Sequence, residues 1–183
     1  MLYLTRHGET DWNTKKILQG KKDSPLTEKG IADLLVLRDE IRNIDFLEIY
    51  SSPLGRAKET ARILNLHNKE IILDPDLEEM GYGPWEGVPR DFLRERYGEN
   101  FDNYFYRPEL YVPVGGGEPF EKLFIRVDRA LGRLRERSRE GDILVVSHGV
   151  VIRMIYLILD GCGIEDLWNM PAVPNGKLIE MSF

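Results

Sequence analysis

The sequence predicts an α/β fold, a three-layer sandwich whose mostly parallel central sheet is flanked by helices. Short apolar runs of strand type alternate along the chain with longer stretches whose apolar residues recur at helical spacing. Two of the strand runs, at residues 1–6 and 142–147, stop at the same pair, His7-Gly8 and His148-Gly149. Alternation of this kind builds a sheet covered on both faces. If both runs are parallel members of that sheet, the two imidazoles stand side by side at strand carboxyl ends. That edge is where open α/β sheets bind ligands.

After the first strand, residues 11–25 are polar and punctuated by Gly20 and Pro25, as in a loop. Thr27 suits the cap of a helix carrying Ile31, Leu34, Leu35 and Ile41 at helical spacing. Residues 46–50 read as the second strand. Ser52 and Pro53 then suit the N-cap and first position of a helix reaching about Leu64. Arg56 therefore falls in a first helical turn, where free N–H groups favour an anion. Residues 71–73 form a short third strand. Residues 81–119, rich in proline, glycine and aromatic residues, read as an excursion over the ligand edge, a partial lid with one short helix near 91–97. Phe120, Leu123, Phe124, Val127, Leu131 and Leu134 mark a long amphipathic helix. The second histidine strand follows, then a helix from Val150 to about Leu159 and a closing edge strand within 177–182. The chain is expected to be one domain, residues 1–183, with the lid inserted at about 81–119.

Composition narrows the function. Hydrophobic residues make up 42% and charged residues 31%, an ordinary globular balance. A net charge of -6 argues against nonspecific nucleic-acid binding, so an anionic ligand must meet a local positive pocket. The single cysteine, Cys162, has no intramolecular partner for a disulfide, and no basic-apolar leader opens the chain. No apolar run nears the roughly 18 residues of a membrane span. A cytoplasmic location is the expectation.

The residues with chemical potential form ordered blocks: Arg6-His7-Gly8-Glu9-Thr10, Asn13, Gln19-Gly20, Asp23-x-Pro25-Leu26-Thr27, Ser51-Ser52-Pro53-Leu54-x-Arg56-Ala57, Glu79-x-x-x-Gly83-x-Trp85-Glu86-Gly87 and Ser147-His148-Gly149. Together, from Tyr3 to about Arg153, they resemble the histidine phosphatase (phosphoglycerate mutase-like) superfamily. The resemblance implies a metal-independent phosphomonoesterase acting on a small phosphorylated metabolite, with no cofactor. Such chemistry demands much of a site: catalysed accelerations of phosphate-monoester hydrolysis reach about 10^21-fold, or roughly 20 kcal/mol and more. A positioned nucleophile, fixed cations around the phosphoryl oxygens and an acid for the leaving group are all needed.

His7 is the expected nucleophile, its neutral ring attacking phosphorus while a backbone acceptor holds the other nitrogen. Arg6 and Arg56 suit the phosphoryl clamp because the guanidinium fork matches its oxygens and stays charged. His148 is the third contact, charged when the dianion is bound, and Gly149 adds a backbone N–H at a helix start. By alignment with the family, Glu79 after Leu77 is the proton donor, while Asn13 meets a phosphate oxygen and Gln19 and Gly20 touch substrate. His67 lies in a helix-end loop and is expected to be inert. No metal site is expected, because none of the histidines has a partner at ligand spacing. Gly115-Gly116-Gly117 lacks the ending of a phosphate-binding P-loop and reads as a turn.

Two alternatives stand beside the phosphatase: a cofactor-dependent phosphoglycerate mutase and a non-catalytic phosphate-binding module. Mutases of the family carry Glu-Arg-His-Tyr-Gly around the acid, where this chain has Glu79-Met-Gly-Tyr-Gly83. The stretches around Glu79 and Pro113–Glu118 resemble α-ribazole phosphatases, and broad sugar-phosphate phosphatases look similar. Pro119 replaces the serine usual after that glutamate. A homodimer is a further expectation from the family.

Overall fold

The computed structural model describes residues 1–182. Its sheet contains β1 (Leu2–Arg6), β2 (Glu48–Ser51), β3 (Ile71–Leu73), β4 (Ile143–Ser147) and β5 (Leu178–Met181), in the order β3-β2-β4-β1-β5. The first four run parallel and β5 closes the edge antiparallel to β1. β4 is central and buried throughout, as a strand covered on both faces must be. The pleat divides its residues: Ile143 and Val145 enter one core, Leu144 and Val146 the other.

The second of these cores is covered by α2 (Glu28–Glu40) and α3 (Gly55–Leu64), the first by α6 (Phe120–Ser138) and α7 (Gly149–Asp160). A short helix α1 (Asp11–Thr14) follows β1. Thr27 caps α2 as expected, its hydroxyl accepting from Gly30 N–H at 2.9 Å. The buried stripe of that helix is Leu34, Leu37 and the following Ile41; Leu35 is exposed, one residue off the stripe.

Two expectations need correction. Helix α3 begins at Gly55, so Ser52 is not its cap. Instead, Asp23 from the preceding loop accepts from the N–H groups of Gly55 (2.7 Å) and Arg56 (3.3 Å). A carboxylate answers both the orphan donors and the helix dipole better than a hydroxyl does. The anion at this helix terminus is therefore the protein's own.

The second correction concerns residues 81–119, where two helices stand in place of one: α4 (Arg90–Tyr97) and α5 (Glu99–Tyr106). Gly98, at φ 50°, ends one and begins the other in a conformation few other residues adopt. Much of this segment is core. Trp85 is fully buried and meets Phe101 edge-on at 5.4 Å, and Tyr104 stacks on Phe120 at 5.4 Å. Tyr82, Arg90, Tyr104 and Phe105 line a cavity at the sheet's ligand edge, while Phe92, Tyr106 and Val112 are exposed. Among the described residues no helix is long and apolar enough to cross a membrane.

Candidate active site

Strand register builds the centre. Arg6 pairs with Ser147 across β1 and β4, and His7 N–H donates to the Ser147 carbonyl at 3.0 Å, so both histidines follow at matched strand ends. Their rings lie 5.2 Å apart, centroid to centroid. His7 Nδ1 sits 2.8 Å from the Gly8 carbonyl. A carbonyl only accepts, so Nδ1 carries the proton and Nε2 keeps its lone pair, toward which Arg56 Nε donates at 3.3 Å. Burial, then the charges of Arg56 and Arg6, hold the His7 pKa well below its ordinary value of 6.5 against the smaller pull of Gly8. The ring is neutral at physiological pH.

His148 is also depressed, by burial first and then by Arg56, His7 and Arg6. Its Nε2 meets Ser52 Oγ at 2.8 Å, and Nδ1 is buried with no partner among the described residues. Ser52 therefore meets the second histidine, and it reaches α3 only indirectly, accepting from the Leu54 N–H at 3.3 Å just before the helix begins.

Arg56 is almost fully enclosed. Its Nη1 donates to the Lys22 carbonyl and to Asp23, both at 2.8 Å, and Nη2 to the Gly20 carbonyl at 2.8 Å. Arg6 gives Nη1 to the Val173 carbonyl at 3.3 Å and leaves a buried Nε–H without an acceptor among the described residues. Glu79 is buried, accepting from Met80 N–H at 2.9 Å and Val150 N–H at 3.4 Å. The loop bearing it is held by Arg126, which donates to the carbonyls of Asp76, Glu78 and Glu79 and lies against Glu118 at 2.7 Å.

These groups meet in one cavity of about 350 Å³. Arg6, His7, Asn13, Gln19, Gly20, Arg56, Glu79 and Gly149 all line it. His148 does not; it is fully buried behind His7 and the first residues of α7. Asn13 uses its carbonyl oxygen for Thr10 N–H, at 3.0 Å, and for Asn175, at 3.4 Å, so its amide nitrogen is left to donate. Gln19 Oε1 accepts from Ser24. Gly20, at φ 55°, has no room for a Cβ, which would stand 2.3 Å from Glu86. Among the described residues no cluster of His, Cys, Asp or Glu is arranged to hold a metal ion.

Several contributors escaped sequence reasoning. Tyr82, Arg90, Phe105, Arg153 and Trp168 line the same cavity. Asn175 reaches back from the C-terminal segment to donate to the His7 carbonyl at 2.8 Å. Nothing in its polar surroundings, Pro174-Asn-Gly176, distinguishes it from a turn residue.

The profile of the histidine phosphatase superfamily (branch 1) matches residues 2–183. The chain belongs to the histidine phosphatase superfamily. Among its curated relatives are phosphoserine phosphatase 1 of Hydrogenobacter thermophilus, 33% identical over 92% of this chain and 80% of the relative, and a probable phosphoglycerate mutase of Enterobacter sp., 34% identical over 97% and 79%. Similar solved structures include Bacillus stearothermophilus YhfR, with a TM-score of 0.92 and 36% identity over 99% of this chain and 91% of that one. The α-ribazole phosphatase of Shigella flexneri gives 0.87 and 31% over 97% and 87%. The relatives of this histidine phosphatase superfamily member thus carry both phosphatase and mutase names.

Proposed function

We propose that this member is a metal-independent phosphomonoesterase of small phosphorylated metabolites, working through a phosphohistidine on His7. One observation carries the reading: the Gly8 carbonyl fixes the proton on His7 Nδ1, so a neutral Nε2 lone pair faces a cavity shared with Arg6, Arg56 and Glu79. Nε2 attacks phosphorus and the ester P–O bond breaks, with Glu79 giving its proton to the departing oxygen. Water then attacks the phosphohistidine, Glu79 takes a proton from it, and phosphate leaves.

Arg6 and Arg56 bind the equatorial oxygens, Arg56 Nε exchanging the His7 lone pair for phosphoryl oxygen as phosphorus arrives. Asn13 and the N–H of Gly149 add donors, and Gln19 and Gly20 touch the substrate. His148 becomes charged when the dianion offsets the fields of Arg56 and Arg6. Hydrolysis rather than phosphoryl return is favoured because residues 79–83 lack the Arg-His pair that mutases of the family place after the acid.

The test is phosphate release from a panel of phosphomonoesters in EDTA, for wild type and His7→Ala, together with rapid-quench capture of acid-labile, base-stable protein phosphate. Turnover lost in His7→Ala and a trapped phosphoenzyme are expected. Turnover without the intermediate defeats the mechanism. No turnover on any ester, with 3-phosphoglycerate plus bisphosphoglycerate also inert, leaves a binding module.

A further inference from the structure

The Gly8 carbonyl that fixes the His7 proton is itself held from outside the cavity. The ladder between β1 and β4 ends when His7 N–H donates to the Ser147 carbonyl, so the next donor, Gly8 N–H, has no strand to meet. It donates instead to Thr60 Oγ1 at 3.0 Å. Gly8 has no side chain to steady it, and a Cβ there would stand 2.7 Å from Leu34 Cδ1. Its backbone is intrinsically free to turn, and hydrogen bonds set where its carbonyl points.

Thr60 stands one turn after Arg56 on α3, fully buried and outside the cavity lining. Its hydroxyl donates to the Arg56 carbonyl at 2.7 Å, the back-bond that a helical threonine makes to the preceding turn, which leaves the oxygen's lone pairs for Gly8. Arg56 in turn gives Nε–H to His7 Nε2. A closed circuit results: His7 Nδ1 to the Gly8 carbonyl, Gly8 N–H to Thr60, Thr60 to Arg56, and Arg56 back to His7 Nε2. One hydroxyl joins the partners of both ring nitrogens. Asn175 steadies the same Gly8 carbonyl from the other side, at a longer 3.4 Å.

Resting on the phosphomonoesterase reading with His7 as nucleophile, we propose that Thr60 is a positioning residue for phosphoryl transfer. Its hydroxyl fixes the Gly8 peptide against the Arg56 turn, so that His7 keeps the Nδ1–H tautomer and presents Nε2 to phosphorus. Thr60 itself touches neither substrate nor the reacting atoms. Valine has nearly the same shape and no hydroxyl; in its place Gly8 N–H is buried without an acceptor, and the peptide is released to turn. Serine keeps both hydrogen bonds.

Thr60→Val, Thr60→Ser and Leu64→Ala are to be compared with wild type. Leu64 is a buried core residue of the same helix with no part in the circuit, so its truncation lowers stability alone. One readout is p-nitrophenolate release from p-nitrophenyl phosphate in single turnover, enzyme in excess, which reports attack by His7. The other is the ring 15N resonances of the three histidines, assigned against His7→Ala protein, which tell a protonated nitrogen from one with a lone pair. Thr60→Val should lower the saturating rate by about tenfold to a hundredfold, with little change in the half-saturating concentration, and should show His7 as a mixture of tautomers. Thr60→Ser should keep the wild-type tautomer and most of the rate. Leu64→Ala should keep both, although its urea midpoint falls at least as far. Thr60→Ala removes the same hydroxyl should the valine variant not fold. A pure Nδ1–H tautomer in the hydroxyl-free variant, or a rate loss no greater than that of Leu64→Ala, overturns the proposal. If wild type turns over no ester while Thr60→Val still mixes the tautomers, the phosphomonoesterase reading falls and the hold of Thr60 on the His7 ring stands.

Discussion

Arg56 donates its Nε–H to His7 Nε2 at 3.3 Å while the rest of its guanidinium is spent on Asp23 and on the carbonyls of Lys22 and Gly20. One cation thus adds to burial in holding His7 neutral and also ties down the loop that walls the cavity. The coupling gives the molecule a pH signature.

Both buried histidines are held well below 6.5 in the folded chain, by burial first and by Arg56 next. On unfolding they regain ordinary values and bind protons below that pH, and stability rises with pH wherever the unfolded state holds more protons. Their contribution is therefore complete above 6.5 and is lost as pH falls from there toward the folded pKa. Urea midpoints measured from pH 8 to 5 should drop below 6.5 in wild type, and less steeply in His148→Gln.

Glu79→Gln keeps an acceptor for Met80 N–H and loses the transferable proton. Hydrolysis of an alkyl phosphate should slow by about a hundredfold or more, the usual scale of general acid catalysis. p-Nitrophenyl phosphate, whose leaving group needs little help, should lose far less. Equal losses on the two esters would reject the acid role.

Asp23 couples a helix terminus to Arg56, the proposed phosphoryl clamp, so Asp23→Ala should register twice. Loss of the cap lowers stability by about 1 kcal/mol. Because Asp23 is itself partly exposed, screening keeps the ion-pair share small. Freed from its partner, the Arg56 fork should raise KM and lower kcat/KM by about tenfold. Steady-state kinetics beside a urea titration checks both.

Arg126 and Glu118 make a buried pair that carries the Glu79 loop. Burial alone would raise the Glu118 carboxyl, yet its bonds to Arg126 and the Gly81 N–H bring it below the ordinary range. Arg126→Ala strands that charge and should cost about 3–5 kcal/mol. Arg126→Met with Glu118→Leu should recover much of it in denaturation, while activity stays low because the Glu79 carbonyl has lost its tie.

Asn175 donates to the carbonyls of His7 and Gly8 and to Asn13 Oδ1. It thereby orients both the His7 backbone and the Gly8 carbonyl that selects the tautomer of the proposed nucleophile. Asn175→Ala should lower kcat by about tenfold with a smaller change in KM. Asn175→Asp, which sets an acceptor against three acceptors, should be worse than alanine in both kcat and melting temperature.

Much of this was legible in the residues. The His-Gly strand ends, the helical spacing from Phe120 to Leu134 and the family's ordered blocks placed β1, β4, α6 and part of the cavity lining, while Tyr82, Arg90, Phe105, Arg153 and Trp168 were not among the candidates. Each signal is local: a period of two or of 3.6, or a turn that needs glycine, is a property of neighbouring residues. Helix α5 was missed because its aromatic residues, Phe101, Tyr104 and Phe105, sit in a stretch broken by glycine and proline that reads as loop.

The sequence by itself determined the α/β layering, the pairing of two strand-end histidines and the candidacy of Arg6, Arg56 and Glu79 beside them. Only the tertiary structure decided that Asp23, not Ser52, caps α3, that Ser52 turns to His148, and that Asn175 stands behind His7. Gly55 and Asp23 are 32 residues apart, and Asn175 and His7 168 apart. Hydrogen-bond partners at such separations are chosen by which buried donors and acceptors the packed sheet edge leaves unsatisfied, and that set exists only once the chain has folded.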